Sequence, residues 1–146
     1  MRTARKTDKK RTVLITGLTG FVGSHLTDYI LAKAPEYTIV GLARWRSPKD
    51  NVKHILDKVT LEYGDMTDFP SVHAALAKYR PEFIFHLAAQ SYVDFSFVAP
   101  IATLESNVIG TATLLEAVRV LKAQSGYDPI IHVCSSSEVY GQVKEN

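Results

Sequence analysis

Short apolar runs rich in β-branched residues alternate along the chain with longer segments of helical periodicity. The apolar runs predict five strands, at residues 12–16, 37–43, 58–63, 82–88 and 129–135. Helical spacing predicts three helices, over 21–33, 69–79 and 100–124, and the polar segment 44–57 predicts a loop with a short helix. The alternation therefore predicts an α/β fold, a doubly wound parallel sheet with strand order 3-2-1-4-5.

The composition is that of one globular domain with a charged N-terminal extension. The chain has 146 residues, 46% of them hydrophobic, so it can bury a core of its own. Residues 1–11 carry a net charge of +5 and the remainder −3, although the whole chain is only +2. We therefore predict a basic arm over 1–11 and one domain over 12–146.

Charge and hydropathy argue against two classes of macromolecular partner. Interleaved basic and aromatic residues, which mark nucleic-acid surfaces, do not follow the arm, so we predict a solvated terminus and no nucleic-acid partner. No apolar stretch is long enough to span a bilayer, and the N-terminus lacks the apolar core of a secretory signal. We predict a cytoplasmic protein without membrane association.

Cys134 is the single cysteine of the sequence, which excludes an internal disulfide and a cysteine-based metal cluster. It lies inside the apolar run of the fifth predicted strand. We predict a buried, unreactive thiol and no metal site.

Glycines mark the turn between the first predicted strand and the first helix, spaced G-x-x-G-x-x-G. Glycine allows positive φ and lets the backbone approach a pyrophosphate, whose charge free N–H groups and the helix dipole stabilise. A tight turn without a ligand would also need glycine, but the strand-turn-helix context favours a dinucleotide site. The predicted cofactor contacts in this turn are Gly17, Thr19, Gly20, Phe21, Val22 and Gly23.

The residues after the second strand indicate which dinucleotide is bound. A site for NAD tends to place a carboxylate there, against the ribose 2′-hydroxyl. Here Arg44 and Arg46 offer forked donors for a 2′-phosphate, and Ser47 offers a hydroxyl. A solvated basic loop is the alternative interpretation. We predict that NADP is favoured over NAD.

The third and fourth predicted strands also end in candidate cofactor contacts. Asp65, followed by Met66, is placed where a carboxylate can accept from the exocyclic amine of adenine. An aspartate at such a place is also a common turn former or helix cap. Small residues after the fourth strand leave room for the cofactor's ribose and pyrophosphate, and the predicted contacts are Leu87, Ala88, Ala89 and Ser91.

A hydroxyl and a carboxylate, Ser136 and Glu138, follow the fifth predicted strand. Serine-rich strand ends often only cap a following helix, and a lone glutamate is usually solvated. Because the glycine turn is predicted at the same edge of a parallel sheet, we expect these two residues to be catalytic.

With these residues in place, the chain resembles the extended short-chain dehydrogenase/reductase family, a group with a Rossmann-type fold, from about Arg11 to its last residue. The resemblance is carried by segments 16–23, 64–66, 86–91 and 107–111. Within that family the chain is most similar to nucleotide-sugar 4,6-dehydratases that act on GDP-mannose, on the residues of 44–47, 86–93 and 135–138.

The resemblance implies a reaction and roles for the strand-five residues. Ser136 would polarise the 4-hydroxyl of the sugar, and NADP would take hydride from C4. Glu138 would then assist loss of water across C5–C6, because the 4-ketone acidifies the C5 proton. Hydride returns to C6, which gives a 4-keto-6-deoxy sugar. We also predict substrate contacts by Gln90, Ser91 and Asn107, and a homo-oligomeric parent protein.

The sequence departs from the family at its Tyr-x-x-x-Lys dyad. Tyr140 and Lys144 have the spacing, but we reject them because the family's dyad lies on a long helix further downstream, and Gly141 argues against such a helix. We therefore expect an incomplete, N-terminal portion truncated before the C-terminal substrate region, inactive alone. The alternatives are a dTDP-glucose-type dehydratase, a nucleotide-sugar epimerase, a 4-keto-sugar reductase, or a non-catalytic dinucleotide-binding module.

Overall fold

The computed structural model describes residues 11–141, apart from the side chains of residues 137 and 138, and strands and helices alternate through it. The strands are β1 (Arg11–Thr16), β2 (Tyr37–Ala43), β3 (Thr60–Tyr63), β4 (Phe83–His86) and β5 (Ile130–Val133). The α-helices are α1 (Phe21–Lys33), α2 (Phe69–Tyr79), α3 (Val93–Val98), α4 (Pro100–Leu104) and α5 (Gly110–Ser125). Two 3-10 helices, Asp50–Ile55 and Ser137–Tyr140, and a π-helical turn, Glu105–Ile109, complete the regular structure of these residues.

The sheet is parallel, and its strand order is β3-β2-β1-β4-β5, which confirms the predicted topology. The strand order reverses between β1 and β4, where Thr16 is directly opposite His86. Ligands of open α/β sheets bind at such a reversal, outside the carboxyl ends of the strands. The topology therefore places the glycine turn and the loop after β4 side by side.

Helices cover both faces of the sheet, because neighbouring residues of a strand point to opposite sides. Leu14 and Ile84 pack on one face with buried residues of α2 and α5, including Leu76 and Leu114. On the other face, Val13, Ile15, Leu18, Ile39 and Ile30 pack with the 3-10 helix after β2. Burial of each large aliphatic side chain contributes about 1.5–3 kcal/mol, so the sheet forms a rigid base for the loops at its edge.

The helix predicted over 100–124 is interrupted. It consists of α4, the π-helical turn and α5, and α3 precedes it in a segment that had no predicted helix. A π-helical turn adds a residue to one helical turn, and here it lies around Asn107, whose carbonyl accepts from the Thr111 hydroxyl at 2.6 Å. Hydrophobic spacing does not detect such a turn, since the residues on either side remain helical.

One prediction about the ends of the sheet is wrong, and the first strand begins one residue earlier than predicted. Cys134 is exposed rather than buried, because it follows β5, the edge strand of the described sheet. Arg11 belongs to β1 rather than to the arm, and its guanidinium forms paired hydrogen bonds with Glu82 at 2.7 Å. Residues 1–10, which make up the rest of the predicted arm, lie outside the described residues.

The part of the chain that the structure describes contains neither a candidate membrane span nor a cluster of metal ligands. Among residues 11–141, no helix combines the length and apolarity that crossing a membrane requires. The described side chains also bring together no group of three or more potential metal ligands.

Candidate dinucleotide-binding site

A cleft of about 490 Å³ lies at the carboxyl ends of β1, β2, β3 and β4. Every residue predicted to contact the cofactor lines it, with the exception of Arg46. Those residues are Gly17, Thr19, Gly20, Phe21, Val22, Gly23, Arg44, Ser47, Asp65, Met66, Leu87, Ala88, Ala89 and Ser91. Four separate loops thus converge on one cavity, as a ligand at the reversal of strand order requires.

Gly17 and Gly23 of the glycine turn lie so close to neighbouring backbone that neither position has room for a side chain. Gly17 has φ 72°, and a Cβ there would lie 2.9 Å from the amide nitrogen of Ala88. A Cβ on Gly23 would lie 2.3 Å from the carbonyl oxygen of Gly17. The turn is closed by a hydrogen bond from the Gly20 amide to that same oxygen, at 2.9 Å. The backbone is therefore the wall of the cleft, as close approach to a pyrophosphate requires.

The first turn of α1 makes the cleft favourable for an anion. Phe21, Val22 and Gly23 line the cavity, and Gly20 provides no side-chain cap. The first turn also lacks an acidic residue. Its uncapped N–H groups and the positive end of the helix dipole suit a phosphate group. A pyrophosphate therefore fits the residues present.

The two arginines after β2 divide between neighbouring cavities. Arg44 lines both the main cleft and a second cavity of about 410 Å³, whereas Arg46 lines only the second one. Within the described residues, neither guanidinium forms an ion pair, in contrast to Arg11 and Arg119. Both are exposed, so they are available to an added anion.

Asp65 follows β3 and faces both cavities. Its Oδ1 accepts from the Thr67 amide at 3.0 Å and from the Thr67 hydroxyl at 2.9 Å. The amide hydrogen bond is the main cause of a lowered pKa at this carboxyl, and the positive charges of Arg44 and Arg46 lower it further. Asp65 is therefore a carboxylate at neutral pH, which can only accept hydrogen bonds.

Asn51 also lines the cleft, although it was not predicted to contact the cofactor. Its side-chain amide donates to the carbonyl of Thr19 at 3.1 Å, so the 3-10 helix after β2 supports the glycine turn. Leu42, Ala43, Pro48 and Gly64 were also missed. The sequence does not indicate this role, because Asn51 and Thr19 are more than thirty residues apart and only the fold brings them together.

A buried threonine holds the loop after β4. The Thr16 hydroxyl accepts from the amides of Leu87, at 3.2 Å, and Ala88, at 3.1 Å. Its other partner is Nδ1 of His86, at 2.8 Å. Thr16 and His86 are both buried, and neither was predicted to have a role of its own. Their position could have identified them, because a polar side chain inside an apolar strand must find a buried hydrogen-bond partner.

Gln90 and Asn107, predicted to contact substrate, instead contact each other. Asn107 Oδ1 accepts from the Gln90 amide at 2.7 Å, and its Nδ2 donates to the Gln90 carbonyl at 3.0 Å. The Gln90 side chain closes a ring with both backbone groups of Tyr92, at 2.8 and 2.9 Å. These contacts stiffen the loop, and neither residue lines the main cleft. Substrate contact by either residue stays a prediction.

The catalytic pair predicted after β5 is only partly described. Ser136 is exposed and lies just before the 3-10 helix Ser137–Tyr140, which contains Glu138. The side chain of Glu138 lies outside the described atoms, so the structure places its backbone and no more. Lys144 of the rejected dyad also lies outside the described residues. The roles of Ser136 and Glu138 stay predictions.

The sheet order and the fold define a Rossmann-type protein of the extended short-chain dehydrogenase/reductase class. Comparison with known families gives the narrower assignment. The model of the GDP-mannose 4,6 dehydratase family matches residues 14–146. The chain belongs to this family.

Similar proteins include enzymes that act on nucleotide sugars. A GDP-mannose 4,6-dehydratase of Vibrio cholerae is 37% identical over 145 residues, which cover 93% of this chain and 38% of that protein. A UDP-glucose 4-epimerase of Thermus thermophilus in complex with NAD is 32% identical, with a TM-score of 0.71 over 92% of this chain and 40% of the other. A dTDP-glucose 4,6-dehydratase of Bacillus anthracis in complex with NAD is 26% identical, with a TM-score of 0.74 over 93% and 41%. The chain thus spans about two fifths of the length of these proteins.

Proposed function

We propose that this chain is the N-terminal, cofactor-binding portion of an NADP-dependent nucleotide-sugar 4,6-dehydratase that converts GDP-mannose to GDP-4-keto-6-deoxymannose. The observation that carries the proposal is the convergence of the predicted cofactor residues on one cleft in a member of the GDP-mannose 4,6 dehydratase family. The domain over 12–146 is then the larger part of the cofactor site, and the substrate region lies elsewhere in the parent protein.

The proposed dinucleotide is assigned to the cleft by charge and by space. The pyrophosphate is held by the backbone of the glycine turn and the first turn of α1, because Gly17 and Gly23 have no room for a Cβ and so leave the backbone exposed to the ligand. The carboxylate of Asp65 accepts from the adenine amine, and small residues after β4 leave room for the ribose and pyrophosphate of the cofactor. When bound, the nicotinamide supplies reversible hydride transfer.

NADP is proposed over NAD because of the two guanidiniums after β2. Arg44 and Arg46 have no ion-pair partner within the described residues, so no internal bond is lost when they bind a phosphate. A carboxylate that would accept from a ribose 2′-hydroxyl does not occur in 44–47. Charge-assisted hydrogen bonds contribute about 1.5–3 kcal/mol, or roughly tenfold to hundredfold in affinity.

The elimination step is assigned to the residues after β5. Ser136 donates to or accepts from the sugar 4-hydroxyl and so orients it for oxidation at C4. Once C4 is a ketone, the C5 proton is acidic and Glu138 can remove it as a general base. The same carboxyl, now protonated, delivers that proton to the departing 6-hydroxyl, so one water is lost and Glu138 is a carboxylate again. Return of the hydride to C6 and addition of a proton at C5 then give the 4-keto-6-deoxy sugar.

Product analysis tests this proposal. The protein translated from the complete reading frame is incubated with GDP-mannose and NADP, and the sugar nucleotide is identified by mass and NMR. We expect loss of one water, abolished by Glu138→Gln and strongly reduced by Ser136→Ala, with Ser135→Ala as the matched control. A reading frame with a stop codon directly after Asn146, and so without a downstream Tyr-x-x-x-Lys, would contradict an active dehydratase.

A second candidate is a different nucleotide-sugar enzyme. The epimerase and the dTDP-glucose dehydratase described above have the same fold over the same part of this chain, with TM-scores of 0.71 and 0.74. Epimerisation or carbonyl reduction would change the sugar without loss of water, and a dTDP-glucose enzyme would leave GDP-mannose unchanged. A non-catalytic module would bind the dinucleotide and turn over none of these substrates.

We also propose that the parent protein is a cytoplasmic homo-oligomer. Exposed apolar side chains of this chain support the oligomer, since Phe97, Val98 and Ile101 on α3 and α4 are 80%, 82% and 67% exposed. Light scattering on the parent protein would show a dimer or tetramer, and a monomer at micromolar concentration would contradict the proposal.

A further inference from the structure

His86 occupies a buried position between two threonine hydroxyls. It ends β4 and is 3% exposed. Its Nδ1 lies 2.8 Å from the Thr16 hydroxyl, and its Nε2 lies 3.0 Å from the Thr111 hydroxyl. One ring therefore links β1 to the first turn of α5 across the base of the cleft.

The directions of these hydrogen bonds follow from the number of protons available. The Thr111 hydroxyl gives its proton to the Asn107 carbonyl, at 2.6 Å, so it must accept from His86 Nε2–H. The Thr16 hydroxyl accepts from the Leu87 and Ala88 amides, so it donates to His86 Nδ1. Only the neutral ring with its proton on Nε2 satisfies every partner.

A charged ring would break this arrangement. Protonated Nδ1 would become a donor facing Thr16, whose oxygen already accepts two amide protons. The groups that face the ring are hydroxyls, on β1 and α5, and burial is the single cause of a lowered pKa at His86. Within the described residues no carboxylate therefore compensates a positive charge there.

The Thr111 side of the network also leads to the cleft loop. Asn107, whose carbonyl accepts from Thr111, holds both backbone groups of Gln90 through its side-chain amide. Thr16 fixes the beginning of the same loop through Ala88. The two ends of segment 88–90 are thus connected through the His86 ring.

We propose that neutral His86 is a positioning residue: through Thr16 and Thr111 it fixes the 87–90 loop that forms one wall of the cofactor cleft. This inference rests on the proposed function for the role of the loop, although the network itself does not depend on it. Leu87, Ala88 and Ala89 line the cleft while His86 lies beneath them, so His86 acts through other residues.

Variants of Thr111 test the proposal without removing the ring. Thr111→Val deletes the acceptor of Nε2–H, and Thr111→Ser restores it. Thr103→Val is the matched control, because the Thr103 hydroxyl makes the same kind of helical bond, to the Ala99 carbonyl at 3.0 Å, without a histidine. Amide hydrogen exchange at Ala88, relative to Ile39 in β2, separates loosening of the loop from a general loss of stability.

We expect Thr111→Val to speed exchange at Ala88 about tenfold relative to Ile39, since it leaves a buried donor without a partner. Thr111→Ser should restore the wild-type rate, and Thr103→Val should not change it. The ¹⁵N spectrum of wild-type His86 should show a proton on Nε2 and an unprotonated Nδ1 at pH 7. Unchanged relative exchange in Thr111→Val, or a proton on Nδ1, would overturn the proposal.

Titration with NADP distinguishes this proposal from the proposed function. We expect Thr111→Val to weaken NADP binding about tenfold, and Thr111→Ser to restore it. Wild-type protein that binds no dinucleotide would contradict the proposed function, while the exchange and ¹⁵N results would still decide the role of His86. Wild-type binding with an unchanged Kd in Thr111→Val would overturn the role of His86 in the cleft.

Discussion

The close approach of the glycine turn to the loop after β4 predicts that Gly17→Ala is damaging in two ways. Alanine at φ 72° costs about 1–2 kcal/mol, because a left-handed conformation is unfavourable with a Cβ. The new Cβ would also lie 2.9 Å from Ala88 N and 3.0 Å from Ala88 Cα. Those are backbone atoms that cannot rotate away, and overpacking costs about 1–3 kcal/mol more. We expect a total loss of about 2–5 kcal/mol in the free energy of unfolding.

Gly126→Ala is the matched control for this prediction. Gly126 follows α5 with φ 66°, and nothing lies within 4 Å of a Cβ built there. Its replacement should therefore cost only the conformational part, about 1–2 kcal/mol. The two variants differ in the contact with Ala88 and in their distance from the cleft.

Urea unfolding and calorimetric titration with NADP provide the measurements. We expect Gly17→Ala to lose more stability than Gly126→Ala and to weaken NADP binding at least tenfold, whereas Gly126→Ala should bind as wild type does. Equal stability losses in the two variants, with the same Kd for NADP, would refute the argument that the cleft wall tolerates no side chain at Gly17.

Further predictions concern charge, protonation and the core. Replacing Arg44 and Arg46 together by alanine should weaken NADP binding about tenfold to hundredfold and NAD binding by less than about threefold; equal losses in titrations of both dinucleotides would contradict the assignment. Burial lowers the pKa of His86 below its ordinary 6.5. The unfolded chain thus takes up a proton that the folded chain excludes, and stability present above pH 6.5 should fall by at most about 1.4 kcal/mol per pH unit as the pH drops. Urea unfolding at pH 5.5 that matches pH 7.5 would be inconsistent with this sign. Tyr127→Phe removes a buried 2.8 Å bond to the Pro81 carbonyl and should cost about 1–2 kcal/mol by thermal or urea unfolding; an unchanged midpoint would count against it.

The topology was predictable because two local signals agree along most of the chain. Apolar β-branched runs alternate with helical spacing, and a right-handed crossover then leaves few sheet orders. The glycine turn was predictable for the same reason: its spacing coincides with the end of a strand and the start of a helix. Cys134 was not, because an apolar run looks the same in a central strand and in an edge strand.

The supporting residues of the site depended on contacts that sequence spacing does not contain. Asn107 was selected as a substrate contact, yet its amide holds the Gln90 backbone, and the π-helical turn around it follows no hydrophobic period. Thr16 and His86 are seventy residues apart and are joined only by the register of β1 and β4. Arg46 was predicted to contact the cofactor together with Arg44, and the sequence does not show that it lines the neighbouring cavity and not the main cleft.

A crystal structure of the chain with NADP is the most direct test of the central claim that the cleft is a dinucleotide site. The account predicts the pyrophosphate against Gly17, Gly20 and the first turn of α1, with the 2′-phosphate within hydrogen-bond distance of Arg44 or Arg46. A dinucleotide bound away from the glycine turn would contradict it, as would a 2′-phosphate that contacts neither arginine.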